Sequence, residues 1–227
     1  HAQVMDGLIG KHLAVMDKHD EKKKVGLVVD EWGAWYDVEP GTNPGFLYQQ
    51  ATLRDALLAG STLNVFNNHA DRVKMANIAQ IINVLQSVIL TDKDKMLLTP
   101  TFHVFEMYTP HHDATLLPTE LTCADYEFSG SKTPGLSVSA SKNSAGKINV
   151  TLCNLNPNTA AELTAEIGGA KVTKFSGRVL VADTMQAHNT FDHPEVVKPG
   201  AFSDVQLKAD GFTVKLPAKS VVALTLE

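Results

Sequence analysis

The sequence predicts an α/β segment followed by an all-β segment. Residues 25–29 form a nearly continuous apolar run, which is typical of a strand buried on both faces of a parallel sheet. Apolar residues at helical spacing over residues 4–16 predict an amphipathic helix before that strand. Beyond residue 113, short β-rich runs alternate with turn clusters, and this pattern favours an antiparallel β-sandwich of the jelly-roll type.

A charged connection, residues 18–24, separates the first helix from the strand. Asn43 and Pro44 are typical of a helix start, because asparagine caps the first turn and proline suits the first helical position. We expect this second helix to end near Asn68. Its apolar face is formed by Leu53, Ala56, Leu57, Gly60 and Leu63.

Residues 73–89 fit two interpretations, since their apolar residues suit a helix as well as a buried strand followed by a loop. In the helical interpretation, Gln80 faces solvent. After this segment, Thr99 and Pro100 predict the start of a last short helix, which Pro110 ends.

The second half of the chain contains eight runs rich in β-branched and apolar residues. Turns rich in Ser, Asn, Asp and Gly separate them, and charge is scattered along them, so we expect a packing module. The runs span residues 121–128, 136–140, 148–154, 161–167, 172–181, 205–207, 212–216 and 221–226.

Two carboxylates follow the first predicted strand. Acidic side chains are costly inside a buried strand, so Asp30 and Glu31 should lie at its carboxyl end, where α/β folds open onto their ligand crevice. Trp32, Trp35 and Tyr36 follow at once, and aromatic rings beside a carboxylate suit a sugar-binding cleft. The same residues suit an ordinary loop, with Asp30 capping a turn, so the pattern alone leaves both interpretations open.

The run from Gly26 to Tyr36 resembles the nucleophile strand of the family 51 α-L-arabinofuranosidases, which are retaining glycoside hydrolases. Further blocks occur in the order found in that family, and the resemblance extends over roughly the first 112 residues. These blocks are residues 55–60, 69–80, 83–85 and 100–105.

The resemblance implies that residues 1–112 are the C-terminal portion of a (β/α)8 TIM barrel and that residues 113–227 are a β-sandwich domain. It implies that Glu31 is the catalytic nucleophile. It also implies that Gln80, at the end of the eighth barrel strand, hydrogen-bonds the arabinofuranose ring, and that Trp35 lines the pocket for this sugar. The expected activity is release of terminal α-L-arabinofuranosyl residues from arabinose-containing polysaccharides or oligosaccharides, a step of L-arabinose metabolism.

One catalytic group of that family is absent from the sequence. A retaining glycosidase needs a second carboxyl group about 5 to 5.5 Å from the nucleophile, as acid and then as base. In the family it comes from an Asn-Glu pair at the end of the fourth barrel strand, and no Asn-Glu pair occurs in the 227 residues. The chain therefore resembles the C-terminal portion of an enzyme, and we expect it to be inactive alone.

Composition limits the partners. The net charge of −5 gives no reason to expect nucleic acid or an anionic membrane, and no apolar run approaches the length of about 20 residues that spans a bilayer. We expect no cofactor, because phosphate loops and dinucleotide fingerprints are absent. The resemblance leaves room for a homo-oligomer of the full-length protein, and nothing in the sequence predicts its cellular location.

Histidine and cysteine do not predict a metal site. His111, His112 and Asp113 are adjacent, so their side chains point in different directions, and no further ligand is placed by spacing. Cys123 and Cys153 are too few to define a metal site, and we expect free thiols instead of a disulfide.

Two other functions stay open at this stage. In one, the β-sandwich is a non-catalytic carbohydrate-binding or structural module, which predicts exposed aromatic rings on one sandwich face. In the other, the chain derives from another glycosidase built on the same barrel, such as an endo-acting glucanase, which would lack the block around Gln80.

Overall fold

The computed structural model describes residues 2–227. The chain is mostly β-sheet with few helices. The helices are α1 (Ala2–His19), α2 (Leu53–Asn68) and α3 (Pro100–Tyr108), with 3₁₀ turns at Pro44–Phe46 and Thr109–His111. The strands are β1 (Leu27–Trp32), β2 (Val73–Ile78), β3 (Ile89–Asp92), β4 (Lys95–Leu98), β5 (Thr115–Leu117), β6 (Asp125–Phe128), β7 (Ser131–Pro134), β8 (Leu136–Lys142), β9 (Ile148–Asn154), β10 (Ala161–Glu166), β11 (Phe175–Leu180), β12 (Gly200–Ala201), β13 (Val205–Lys208), β14 (Gly211–Leu216) and β15 (Ser220–Leu226).

Strands β1 and β2 pair in parallel. This supports the strand interpretation of residues 73–80, although β2 ends at Ile78, and the helical interpretation of Gln80 is wrong. One face of the pair, which includes Val29 and Trp32, packs into an apolar core with α2 and α3. On the opposite face, Val28 and Met75 are register partners and both are exposed.

Arg72 connects the end of α1 to the start of the parallel strands β1 and β2. Its buried guanidinium donates to Asp17 and to Asp20, each at 2.6 Å, and to the backbone oxygen of Val25 at 2.9 Å. The hydrogen bonds from the Val25 backbone and from Arg72 hold the pKa of Asp20 below its usual value. The charged connection after α1 is thereby held at the point where both strands begin.

The predicted start of the second helix at Asn43 is wrong. Asn43 does accept a hydrogen bond from the backbone of Gly45, at 2.9 Å, but the turn is a short 3₁₀ helix that Leu47 ends in a left-handed conformation. Helix α2 has its own start, a capping box in which Thr52 and Asp55 accept each other's backbone N–H groups. Two capping signals therefore serve two separate elements.

Two antiparallel sheets dominate the second half of the chain. Their strand orders are β12-β11-β15-β9-β8-β5 and β10-β14-β13. Leu152 and Leu224 of the first sheet share an apolar core with Phe212 and Leu216 of the second, so the two sheets face each other. Each of the eight predicted runs contains a strand, whereas β5, β7, β12 and the hairpin of β3 and β4 were not predicted.

The two cysteines are free thiols, with Cys153 buried and Cys123 half-buried. Burial raises the pKa of Cys153 to about 12, so this thiol stays protonated at neutral pH. Within residues 2–227, none of the helices combines the length and apolar character that crossing a bilayer requires.

Polar side chains connect α2, and the 3₁₀ turn that follows α3, to the larger sheet. The Asn64 Oδ1 atom lies 3.0 Å from the Tyr108 hydroxyl, 2.9 Å from Ser139 Oγ and 2.7 Å from Thr151 Oγ1. His111 contacts the sheet through both ring nitrogens, with Nδ1 2.7 Å from Ser141 Oγ and Nε2 3.1 Å from Thr151 Oγ1. Burial, with a smaller contribution from the charge of His112, lowers the pKa of His111 to about 4.

Acidification should destabilise this contact. An unfolded histidine binds a proton near pH 6.5, but folded His111 resists protonation down to about pH 4, so stability is lost as the pH falls between these values. At pH 4.5 we expect a loss of about 2 to 3 kcal/mol from this residue. Urea denaturation of the wild type and of His111→Gln at pH 7 and pH 4.5 measures it.

The variant should lose less stability than the wild type on acidification. His12→Gln is the matched control, because His12 is an exposed histidine of α1, far in sequence from His111, and its replacement should leave the acid-induced loss in place. Equal losses in the wild type and His111→Gln would show that this histidine does not carry the effect.

Candidate active site

Strand β1 carries a β-bulge at its two carboxylates. Val29 pairs with Ala76 and Trp32 pairs with Ile78, so β1 advances three residues while β2 advances two. The additional residue lies at Asp30 and Glu31. Because of it, Trp32 faces the same side as Val29 and enters the core, and both carboxylates are exposed. Bulges occur next to active sites, where they re-aim side chains.

Trp32 fixes the position of the bulge. Its side chain is only 4% exposed, it meets Phe66 of α2 edge-on at 5.4 Å between ring centroids, and it stacks on Phe105 of α3 at 6.0 Å. Aromatic pairs of this kind add about 0.5 to 1.5 kcal/mol beyond the burial of their area. The residue directly after Glu31 is therefore anchored to two helices.

Gln80 lies at the same edge of the sheet as Glu31. The Ala79 N–H donates to the Trp32 backbone oxygen at 2.9 Å, which continues the pairing beyond β2. Gln80 follows directly and is exposed. The structure thus brings two of the three predicted site residues to the carboxyl ends of adjacent parallel strands, the position where α/β folds bind ligands.

Trp35, the third predicted residue, is held by its backbone. The Ala34 carbonyl accepts hydrogen bonds from Gln49 Nε2 at 3.2 Å and from Gln86 Nε2 at 3.0 Å, and the Tyr36 N–H donates to Gln49 Oε1 at 2.8 Å. Both glutamines are buried, whereas Trp35 between these fixed points is 66% exposed. An exposed ring on a fixed backbone can receive a flat apolar ligand surface.

Gly33 allows the sharp turn between Glu31 and Trp35. Its φ is +150°, and a Cβ atom there would lie 2.9 Å from the Nε2 atom of Gln86. Next along the loop, the Arg54 guanidinium lies 3.7 Å from the centre of the Tyr36 ring, a cation–π contact to α2. Burial raises the pKa of Tyr36, so its hydroxyl stays neutral.

The sequence patterns did not identify Gln49 and Gln86 as parts of this site. Buried glutamines are uncommon because an amide needs partners when it leaves water, which was the one available signal. Their partners are backbone atoms, whose positions follow from the fold and not from residue type.

Glu106 does not have the properties of a general acid. Its carboxylate receives hydrogen bonds from Arg178 at 3.0 and 3.2 Å, and this ion pair lowers its pKa. A general acid needs a raised pKa, so that it carries a proton at the pH of the reaction. Glu106 therefore pairs α3 with β11 and is not suited to proton donation.

Metal-binding geometry is not found between residues 2 and 227, where no three His, Cys, Asp or Glu side chains come together as ligands. His111 uses both ring nitrogens on sheet hydroxyls, as described above. His111 therefore has a structural role in holding the turn to the sheet.

Comparison with known protein families gives a match over most of the chain. A family profile described as the alpha-L-arabinofuranosidase C-terminal domain matches residues 30–220. Among curated proteins, the intracellular exo-alpha-L-arabinofuranosidase of Bacteroides ovatus is 48% identical over 224 residues, which are 98% of this chain and 44% of that protein.

Solved structures agree with this match. The crystal structure of the GH51 arabinofuranosidase from Xanthomonas axonopodis pv. citri superposes with a TM-score of 0.97 at 47% identity, over 100% of this chain and 46% of that one. A family 51 alpha-L-arabinofuranosidase from Bifidobacterium longum gives a TM-score of 0.85 at 23% identity, over 100% of this chain and 47% of that one, and shows the shared fold. The chain spans less than half the length of these relatives.

Gly33→Ala should destabilise the loop after Glu31. An alanine at this φ is strained, and its Cβ meets Gln86, so we expect a loss of about 1 to 3 kcal/mol in the free energy of unfolding. Gly168→Ala is the matched control, because nothing lies within 4 Å of its added Cβ and its φ is ordinary. Urea denaturation compares the two, and equal midpoints would contradict a strained turn at Gly33.

Proposed function

The chain belongs to the α-L-arabinofuranosidases of glycoside hydrolase family 51, whose C-terminal domain it carries, and from this premise we propose that Glu31 is the nucleophile of a retaining, exo-acting enzyme. In this proposal the full-length protein releases terminal α-L-arabinofuranosyl residues from arabinose-containing saccharides. The observation that supports it most directly is the bulge that presents Glu31 at the carboxyl edge of a parallel sheet, the edge at which Gln80 also lies.

The reaction has two steps. A Glu31 carboxylate oxygen attacks the anomeric carbon as the bond from that carbon to the glycosidic oxygen breaks, and an acid protonates the departing oxygen. Water, deprotonated by the same group, then attacks the anomeric carbon of the covalent ester and frees Glu31, so the sugar keeps its configuration. The acid/base is proposed to come from the Asn-Glu pair of a barrel segment that precedes this chain in the full-length protein.

Gln80 and Trp35 have positioning roles in this proposal. The exposed Gln80 amide lies two residues after the end of β2 and can hydrogen-bond the hydroxyls of the furanose ring, while the exposed Trp35 ring covers an apolar sugar face. Both residues stand on backbone that is held by hydrogen bonds, which limits the conformational entropy lost when a sugar binds.

The proposal extends to the architecture. Residues 1–112 would supply the last strands and helices of a (β/α)8 barrel, and residues 113–227 a β-sandwich of the jelly-roll type. The parallel pairing of β1 and β2 supports the first part, since one face packs on helices and the other leaves Val28 and Met75 exposed. Two facing antiparallel sheets support the second part.

A carbohydrate-binding β-sandwich gains little support from the structure. Such modules use exposed aromatic rings on a sheet face. Phe128 is the one aromatic side chain beyond residue 113 that is largely exposed, and it lies on the separate hairpin of β6 and β7. The others are buried or half-buried: Tyr126, Phe175, Phe191, Phe202 and Phe212.

Replacing the nucleophile tests the proposal. We would measure hydrolysis of an aryl α-L-arabinofuranoside by the 227-residue chain and by a longer protein that extends it upstream so that the barrel is complete. Activity is expected in the longer protein alone, and Glu31→Ala should lower kcat/KM by at least about a thousandfold, because no other group forms the covalent ester. Glu120→Ala, at another exposed glutamate, is the matched control.

Two results would overturn the assignment. One is an inactive longer protein, and the other is full activity in Glu31→Ala. Either result would favour the alternative function, in which the β-sandwich is a non-catalytic carbohydrate-binding module. Proton NMR of the first product released reports the configuration, and the inverted anomer would exclude a retaining mechanism.

Gln80→Ala should lower kcat/KM of the longer protein by about tenfold, since one hydrogen bond to the sugar is lost. The thermal midpoint should not change, because Gln80 is exposed. Gln206→Ala, at an exposed glutamine of β13, should change neither quantity. Unchanged kinetics in Gln80→Ala would remove this residue from the sugar site.

A further inference from the structure

Exposed apolar side chains cluster on the two segments that follow the parallel strands. Trp35 and Phe46 lie on the segment after β1 and are 66% and 67% exposed, and Ile81 and Ile82 lie on the segment after β2. Trp35 has a role in the proposed function, whereas Phe46 has none so far. Within residues 2–227, the exposed Phe46 ring at this edge of the sheet therefore has no contact in either apolar core that explains its apolar character.

The backbone of Phe46 is held in a short, rigid turn. Asn43 Oδ1 accepts from the Gly45 N–H at 2.9 Å, and the Phe46 N–H donates to the Asn43 carbonyl at 3.0 Å. Pro44 fixes its own φ, and Leu47 closes the turn in the left-handed region at φ +53°. The ring is thus presented from a defined position.

Hydrogen bonds close the base of this loop and join it to the segment after β2. The Glu39 N–H donates to the Tyr48 carbonyl at 2.9 Å, and the Gln50 N–H donates to Glu39 Oε1 at 3.0 Å. The Leu85 N–H donates to the Leu47 carbonyl at 3.1 Å. The residue after Phe46 is therefore bonded to the segment that begins with Gln80.

Phe46 and Trp35 share one support. Gln49 lies three residues after Phe46, and its buried amide bonds the backbone on both sides of Trp35. The two exposed rings therefore project from one hydrogen-bonded base at the edge that carries Glu31. Fixed, exposed rings beside a carboxylate suit the apolar faces of sugar units, because little entropy is lost when such a ring becomes covered.

We propose that Phe46 is a specificity-determining residue that stacks on the sugar unit beyond the scissile bond, the leaving group of the saccharide. This inference rests on the proposed function and deepens it. Since Trp35 covers the arabinofuranosyl unit that is released, the second ring of the same base is available for the next unit. The exposed Asn43 beside it, whose Oδ1 atom accepts from the Gly45 N–H, has its Nδ2 group to offer to a hydroxyl of that unit.

Two substrates of the longer protein distinguish contacts with the released sugar from contacts with the leaving group. The first is a disaccharide of two arabinofuranosyl units, whose leaving group would cover Phe46. The second is α-L-arabinofuranosyl fluoride, whose leaving group is a single atom and cannot reach it. Phe46→Ala should lower kcat/KM for the disaccharide about three- to tenfold, the scale of one aromatic contact, and leave the fluoride unchanged.

Two further variants make the test specific. Phe46→Trp retains a stacking ring and should restore most of the disaccharide activity. Phe128→Ala removes a phenylalanine of nearly equal exposure, 69%, from the hairpin of β6 and β7, and should change neither substrate. Thermal midpoints and sedimentation of each variant report folding and association.

The outcomes are distinct from those that test Glu31. Equal disaccharide activity in Phe46→Ala and the wild type would overturn the inference and leave the proposed function standing. Equal losses on both substrates would also overturn it, and with altered sedimentation they would assign Phe46 to a contact between subunits. A wild type that cleaves neither substrate would overturn the proposed function, and this inference with it.

Discussion

The candidate site depends on opposite requirements for neighbouring side chains at the end of β1. Trp32 must enter the core between α2 and α3, where its large ring is buried, while Asp30 and Glu31 must stay in water because an unpaired buried carboxylate is costly. Strict alternation would place Trp32 on the opposite face from Val29. The bulge resolves this by adding one residue, so the carboxylates face out and Trp32 faces in.

The loops above the carboxylates extend the same arrangement. Buried amides from Gln49 and Gln86 converge on one carbonyl, that of Ala34, and thereby hold the turn that Gly33 makes possible. Both amides donate to this carbonyl, and Gln49 Oε1 also accepts from the Tyr36 N–H, whereas Gln86 Oε1 is buried without a hydrogen-bond partner among the described residues. Exposed rings on this loop are consequently positioned by interactions beneath them.

Elements with strong local signals could be predicted from the sequence, and pairings between distant segments could not. The apolar run before Asp30 and the β-rich runs of the second half each contain a strand, although Val25 and Val28 are exposed, so the predicted burial of the first strand on both faces is not seen in this chain. The bulge depends on the register with β2, more than 40 residues away, which no local pattern encodes. Asn43 does cap a turn, but that turn is a short 3₁₀ helix that Leu47 ends, and α2 begins separately at the capping box of Thr52 and Asp55.

The change in sequence composition near residue 113 does not separate two parts that lack contacts with each other. Helix α2 carries Phe66, which holds Trp32, and also Asn64, which meets hydroxyls of β8 and β9 in the larger sheet. Gly60 allows this close approach, since a Cβ there would lie 2.9 Å from Cys153 Sγ of β9. The sheet therefore supports the helix, the helix supports Trp32, and Trp32 holds the end of the strand that presents Glu31. Loss of packing between α2 and the sheet would reach the carboxylate through this chain of contacts, although no residue of the sheet is placed in the candidate site.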